Sequence, residues 1–149
     1  MKYYIAYGSN LNIKQMANRC PTAQIVGTGS IKDYRLKFNL HLTIEPAAGE
    51  SVPVAIYQVT PTDERRLDAY EGYPNYYRKE EMNIEVNSYF EGKKKIKAFV
   101  YIMNEPERVA LPYDSYIDIC LEGYRNFEFD VKNIKEAYQR TLNEVKGKK

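Results

Sequence analysis

Segments rich in β-branched and aromatic residues crowd the first hundred positions, and no long helical stretch recurs between them. That spacing is the strongest constraint on the fold, because parallel neighbours need a crossover of about a dozen residues or more. Lys2 to Ala6 reads as a first strand. Residues 23–44 carry β-rich stretches interrupted by Gly27, Gly29 and Lys32-Asp33, and are expected as two strands. Val52 to Val59 alternates as a further strand, with Pro53 placed at an edge or end. Residues 76–87 and 96–103 are expected as a hairpin around Glu91-Gly92. Asn12 can cap a short helix carrying Ile13, Met16, Ala17 and Cys20, and Thr60-Pro61-Thr62-Asp63 starts a second that stops at Gly72. Tyr113 to Tyr124 and Val131 to Val145 read as closing helices. A doubly wound parallel sheet is therefore not expected. The expectation is an α+β fold: a mixed, mostly antiparallel sheet or small barrel with helices packed outside.

The remaining totals narrow the function. The 149 residues show no repeat, low-complexity tract or linker, so a single domain spanning 1–149 is expected. The net charge of +2 is nearly balanced; Lys93 to Lys95 and the KGKK tail lack aromatic interleaving, so no nucleic-acid partner is expected. The apolar runs are too short for a membrane span or signal peptide, which makes the cytoplasm the expected compartment. Cys20 and Cys120 form no CxxC, and His41 is the single histidine; no metal site is expected, and a Ser-His-Asp or Cys-His mechanism lacks support. Both cysteines read as small buried residues. Fifteen tyrosines and no tryptophan leave many apolar rings with polar tips, suited to strands and to pockets for polar ligands.

Two stretches can carry chemistry. Gly8-Ser9-Asn10 ends the first strand and leads into a helix, where outward amide N–H groups can bind a carboxylate or a developing oxyanion. Taken alone, these residues are also what an ordinary strand-to-helix turn uses. The second stretch is LDAYEGYPNYYRK, residues 67–79, in which Glu71 sits at a helix end, against the dipole and among Tyr70, Tyr73, Tyr76 and Tyr77. Both features push a carboxyl upward from about 4.3 toward the range useful for general base and acid work. Alone, Glu71 reads as a solvated surface charge and the tyrosines as packing. Asp68, one turn earlier, is a competing carboxylate, better suited to supporting the loop by hydrogen bonds.

Together the two stretches resemble the γ-glutamylcyclotransferase superfamily, including its AIG2-like and γ-glutamylamine branches. Tyr7-Gly8-Ser9-Asn10-Leu11 is similar to the family's Y-G-S-N-L at the end of the first strand. Leu67-Asp68-Ala69-Tyr70-Glu71-Gly72, followed by Tyr77-Arg78, is similar to L-D-x-x-E-G followed by Y and R. A third segment, Pro112 to Gly123, departs from the family's P-S-x-x-Y…G because Tyr113-Asp114 follows the proline, so no role is carried to Tyr116. The resemblance implies a small mixed β-barrel with flanking helices and an enzyme needing no cofactor. Its substrate would be a small-molecule γ-glutamyl amide, cyclised to 5-oxoproline with release of the amine. It further implies Glu71 as general base and then acid, with Tyr7, Gly8, Ser9, Asn10 and Tyr77 binding substrate and Arg78 a structural partner. The leaving-group side is expected from loops around 43–52 and 104–116, where no motif constrains it. The alternative is a non-catalytic module that holds a small carboxylate or peptide end in the same pocket. Oligomeric state is left open.

Overall fold

Tyr3 to Ala6 becomes a buried strand because it is paired on both sides. In the computed structural model, which describes residues 1–105 and 109–147, β1 (Lys2–Ala6) runs antiparallel to β3 (His41–Val59) and parallel to β5 (Gly92–Met103). β2 (Gln24–Asn39) and β3 form one long hairpin, and β4 (Tyr77–Ser88) and β5 form another. The order β1-β3-β2-β4-β5 closes on itself as a barrel. All its pairings are antiparallel except β1 with β5, the mixed, mostly antiparallel arrangement the sequence predicts.

The strand boundaries differ from expectation in an instructive way. Residues 23–59 hold two long strands rather than three short ones, turning at Leu40 with a φ of 65°. Gly27 and Gly29 do not break β2; they let β4 cross it closely. A Cβ at Gly27 would lie 2.1 Å from the Asn87 carbonyl oxygen, and one at Gly29 2.6 Å from that of Glu85. The irregularities are absorbed as register shifts at Ile25/Gly27 and Lys32/Tyr34, bulges within a continuous strand. Residues 43–52, expected as a loop, belong to β3, and β5 starts at Gly92 rather than at 96. Pro53 sits just before β3 reaches β1, with which it pairs from Ala55 to Val59, and lies opposite Ser30 of β2.

Local signals set the helices. Asn12 caps α1 (Ile13–Arg19) by accepting the Gln15 N–H at 3.1 Å. Thr60 and Asp63 form a reciprocal capping box at the start of α2 (Pro61–Glu71), and Gly72 ends it in the left-handed conformation with φ 65°. A cap of this kind is worth about 1 kcal/mol, enough to define where a marginal helix begins. α3 (Asp114–Asn126) lies on the chain after β1, which Gly123 permits: a Cβ there would meet the Asn12 nitrogen at 2.6 Å. α4 (Lys132–Gly147) covers β2, burying Ile134, Ala137 and Thr141, while the Thr141 hydroxyl donates to the Phe38 carbonyl at 3.0 Å. Ile5, Leu11, Phe38, Leu42, Ile56, Leu67 and Val100 anchor the buried cluster. Each such side chain contributes roughly 1.5–3 kcal/mol.

Both cysteines are free and buried; burial pushes the Cys20 thiol up to about 11 and the Cys120 thiol up to about 12, so neither is a ready nucleophile. Among the described residues, no helix is long and apolar enough to cross a membrane, and no group of three or more His, Cys, Asp or Glu side chains could hold a metal. Residues 106–108 of the 104–116 span, and 148–149 of the basic tail, lie outside the described residues.

Candidate active site

A cavity of about 100 Å³ opens at one end of the barrel, between the chain after β1, the start of β3, the end of α2, the start of β4 and α3. Tyr7, Gly8, Ser9, Asn10, Glu71 and Tyr77, the residues expected to bind and process substrate, all line it. Residues separated by more than sixty positions in the chain meet there because β1 and β5 close the barrel beside the end of α2.

The first wall is the strand-to-helix turn. Ser9–Leu11 forms a single 3₁₀ turn, with the Leu11 N–H bonded to the Gly8 carbonyl and the Asn12 N–H to the Ser9 carbonyl, each at 3.0 Å. The side chains here are already engaged. The Tyr7 hydroxyl donates to the Tyr101 carbonyl at 2.6 Å, and Ser9 Oγ shares a hydrogen bond with the Tyr70 hydroxyl at 2.8 Å. Asn10 Nδ2 donates to the Tyr4 hydroxyl at 2.9 Å, while Asn10 Oδ1 accepts from Arg19. Among the described residues, no acceptor takes the backbone N–H of Ser9 or Asn10. What this wall offers a ligand is therefore backbone, at the start of a helical turn.

The second wall is the end of α2. Gly72 turns the chain, and the Tyr73 N–H donates back to the Asp68 carbonyl at 3.0 Å, a Schellman-type closure. Glu71, the last helical residue, is thereby left on the cavity. Burial pushes its carboxyl up to about 7, against the opposing pull of the Arg19 guanidinium. Arg19 is committed elsewhere: it bonds Asn10 and Gln15, and its guanidinium carbon lies 3.4 Å from the Tyr70 ring centre. Among the described residues, no donor bonds the Glu71 carboxyl. Its oxygens are left without a protein donor, and a carboxyl raised in this way can take up or release a proton near neutrality.

Aromatic side chains complete the enclosure. The Tyr77 hydroxyl donates to the Leu42 carbonyl at 2.6 Å, and the Leu42 N–H donates to the Tyr116 hydroxyl at 3.0 Å. His41 sits edge-on to Tyr116 and to Tyr76, with Nδ1 2.9 Å from the Tyr76 hydroxyl. Burial lowers the His41 pKa and raises those of Tyr7, Tyr77 and Tyr116, so the enclosure is neutral near pH 7. Tyr4, His41, Leu42 and Tyr101 are lining residues that sequence reasoning missed, and Tyr116, to which the departing Pro112 to Gly123 segment carried no role, lines the cavity too. The excess of tyrosine was the one signal for Tyr4 and Tyr101, and His41 and Leu42 had none. Of the tyrosines flanking Glu71, Tyr70, Tyr76 and Tyr77 line the cavity, whereas Tyr73 lies outside it beneath Lys79. Arg78 also lies outside, donating to Glu80 and to the Met103 carbonyl. Asp68 is outside as well, bonded to Tyr101 and Lys79.

Comparison with known proteins identifies the fold and the family. A structure described as gamma-glutamyl cyclotransferase superposes with a TM-score of 0.73 at 21% identity, over 91% of this chain and 85% of the other. An uncharacterised human protein superposes with a TM-score of 0.74 at 22% identity, with the same coverage. A mouse AIG2-like protein reaches 0.59 at 24% identity over 77% of this chain and 89% of its own. At these identities the likeness is one of fold. In sequence, a protein of Methanocaldococcus jannaschii, provisionally named a gamma-glutamylcyclotransferase, is 27% identical over 126 residues, 79% of this chain and 98% of the relative. The family model described as "Gamma-glutamyl cyclotransferase, AIG2-like" matches residues 4–118, a span that takes in both walls of the cavity, and the chain belongs to that family.

Proposed function

We propose that this protein cyclises a γ-glutamyl amide to 5-oxoproline and releases the amine, with Glu71 carrying the proton. The observation that supports this most strongly is the unpartnered Glu71 carboxyl, poised at about 7, facing a turn with free backbone N–H groups.

The substrate's α-ammonium, with a pKa near about 8, gives a proton to the Glu71 carboxylate. The freed amine nitrogen attacks the γ-carbonyl carbon, forming the ring C–N bond and placing negative charge on the former carbonyl oxygen. The N–H groups of Ser9 and Asn10 hold the γ-glutamyl portion through its carboxylate or that oxygen. Glu71 returns its proton to the departing nitrogen as the old C–N bond breaks, then takes the second proton from the ring nitrogen and passes it to the released amine, leaving 5-oxoproline, an ammonium ion and the Glu71 carboxylate. Proton transfer to a carboxylate near 7 is uphill by about 1 kcal/mol; to one near 4.3 it would be uphill by about 5 kcal/mol. The nucleophile belongs to the substrate, so the cavity's main task is to hold a folded conformer, worth on the order of 7–11 kcal/mol when attack is well oriented. Tyr77, fixed by Leu42, shapes the floor against which the substrate folds.

The test is incubation with a panel of γ-glutamyl dipeptides and γ-glutamyl-ε-lysine, scoring 5-oxoproline for the native protein and Glu71→Gln. Product from the native protein and none from a folded variant supports the reading. Full activity in Glu71→Gln removes Glu71 from the mechanism. Release of glutamate identifies a hydrolase, and thermal stabilisation by these compounds without product identifies a binding module for small carboxylates.

A further inference from the structure

Beside the cavity, where α2 meets β4 and β5, lies a cluster of charged and aromatic groups whose side-chain contacts the proposed reaction does not use. Asp68 stands one turn before Glu71. Its carboxylate accepts the Tyr101 hydroxyl at 2.6 Å and pairs with the Lys79 ammonium at 2.9 Å. Lys79 and Tyr101 are directly opposed across β4 and β5, so the sheet presents a cation and a hydroxyl to Asp68 as a rigid pair. The Lys79 ammonium also contacts Glu64 at 2.7 Å and lies 4.3 Å from the centre of the Tyr73 ring. It is largely shielded, with 18% of its side chain exposed.

These contacts converge on the stretch that aims Glu71. The Asp68 carbonyl accepts the Tyr73 N–H that closes the helix end, and the Asp68 side chain ties the same turn to the sheet. Tyr101 reaches both walls: its hydroxyl meets Asp68, and its carbonyl accepts the Tyr7 hydroxyl at 2.6 Å. We infer that Asp68, Lys79 and Tyr101 are positioning residues, a clamp that keeps the Glu71 side chain inside the cavity and away from water. The inference rests on the proposed role of Glu71, but its physical content is a statement about where that carboxyl resides.

Burial is what lifts the Glu71 carboxyl to about 7. A loosened helix end lets the side chain meet solvent, and its titration then falls toward the ordinary value of about 4.3. The groups facing Glu71 from neighbouring elements are few in kind. From α1 there is Arg19, the cation that opposes the rise. From β1, β4, β5 and α3 there are the hydroxyls of Tyr4, Tyr77, Tyr101 and Tyr116, with Tyr7 and Tyr76 from the adjoining turns, and His41 completes the rim.

The experiment is a carbon-detected NMR titration of the Glu71 carboxyl, assigned with Glu71→Gln, in the native protein and in Asp68→Asn, Lys79→Met and Tyr101→Phe. Charge alone predicts opposite shifts: removing an anion lowers a neighbouring carboxyl, removing a cation raises it, and Tyr101→Phe changes no charge. The clamp predicts a fall of about one pH unit or more in all three variants. An unchanged midpoint in folded variants, or opposite shifts for Asp68→Asn and Lys79→Met, overturns it. Tyr101→Phe keeps the Asp68–Lys79 ion pair, and Asp68→Asn keeps the Lys79–Glu64 contact, so each leaves a link between α2 and the sheet. Because the readout is a titration, a native protein that makes no 5-oxoproline defeats the proposed function without deciding the clamp.

Discussion

The two walls of the cavity are built on opposite plans. In the turn after β1, each polar side chain is tied to the protein: Tyr7 to Tyr101, Ser9 to Tyr70, Asn10 to Tyr4 and Arg19. What the turn leaves open is its backbone. At the end of α2 the backbone is closed by the Gly72 turn, and what is left open is one carboxyl. A backbone donor cannot titrate and holds its direction, which suits binding. A carboxyl tuned near neutrality can take and return a proton, which suits chemistry. The difference predicts that side-chain changes on the first wall act through stability and shape, and that the change on the second acts on turnover.

The sharpest way to break this contrast is Glu71→Gln. General base and acid contributions are typically worth about 10²–10⁴-fold, so turnover should fall by at least a hundredfold while circular dichroism stays native. Turnover within a few-fold of native would erase the distinction between the walls. The same variant also reports on stability. The folded-state value of about 7 lies above the ordinary value of about 4.3, so the folded protein holds this proton more tightly and loses stability as pH rises from about 4.3 to 7. Above 7 the penalty is on the order of 3 kcal/mol, and Glu71→Gln removes it. The variant should therefore melt several degrees above native at pH 8 and close to native at pH 4; an equal shift at both would contradict the buried carboxyl.

Asn10→Ala should come next. It leaves the buried Tyr4 hydroxyl without its donor and removes one of the two side-chain acceptors of Arg19, at a cost of about 1–3 kcal/mol. The melting temperature should drop clearly, with KM raised more than kcat is lowered. Tyr77→Phe removes one donor to Leu42 and should cost about 1 kcal/mol, with a modest rise in KM. Ser9→Ala should be the smallest. It loses one shared hydrogen bond to a half-exposed tyrosine, and turnover should stay within a few-fold. A large kinetic loss in Ser9→Ala would mean that this wall works through its side chain after all.

How much could be read from the sequence follows the range of the interactions. Thr60 and Asp63, Asn12 and Gly72 signal their structures within four residues, because caps and left-handed turns are local devices. The barrel's mixed, mostly antiparallel character follows from the lack of crossover helices. The long β2–β3 hairpin did not, since its glycines answer to β4 passing overhead and its turn residue is a leucine. In the cavity, Tyr7 to Asn10, Glu71 and Tyr77 stand in recognisable motifs. His41 and Tyr101 do not, and Tyr116 stands only in the segment that departs from the family pattern, because barrel closure and the docking of α3 are what bring them to the same space. Arg19 is held there by Asn10 and the Tyr70 ring, a pairing with no local spacing rule.

The proposed reaction turns on a proton carried by Glu71. The most direct test is the pH dependence of kcat/KM for 5-oxoproline formation, measured for the native protein and Glu71→Gln. The prediction is a bell whose acidic limb has its midpoint at about 7, from Glu71, and whose basic limb lies near about 8, from the substrate's ammonium; in Glu71→Gln the acidic limb disappears with the activity. An acidic limb at about 4.3, or a limb at 7 that persists in Glu71→Gln, would contradict it.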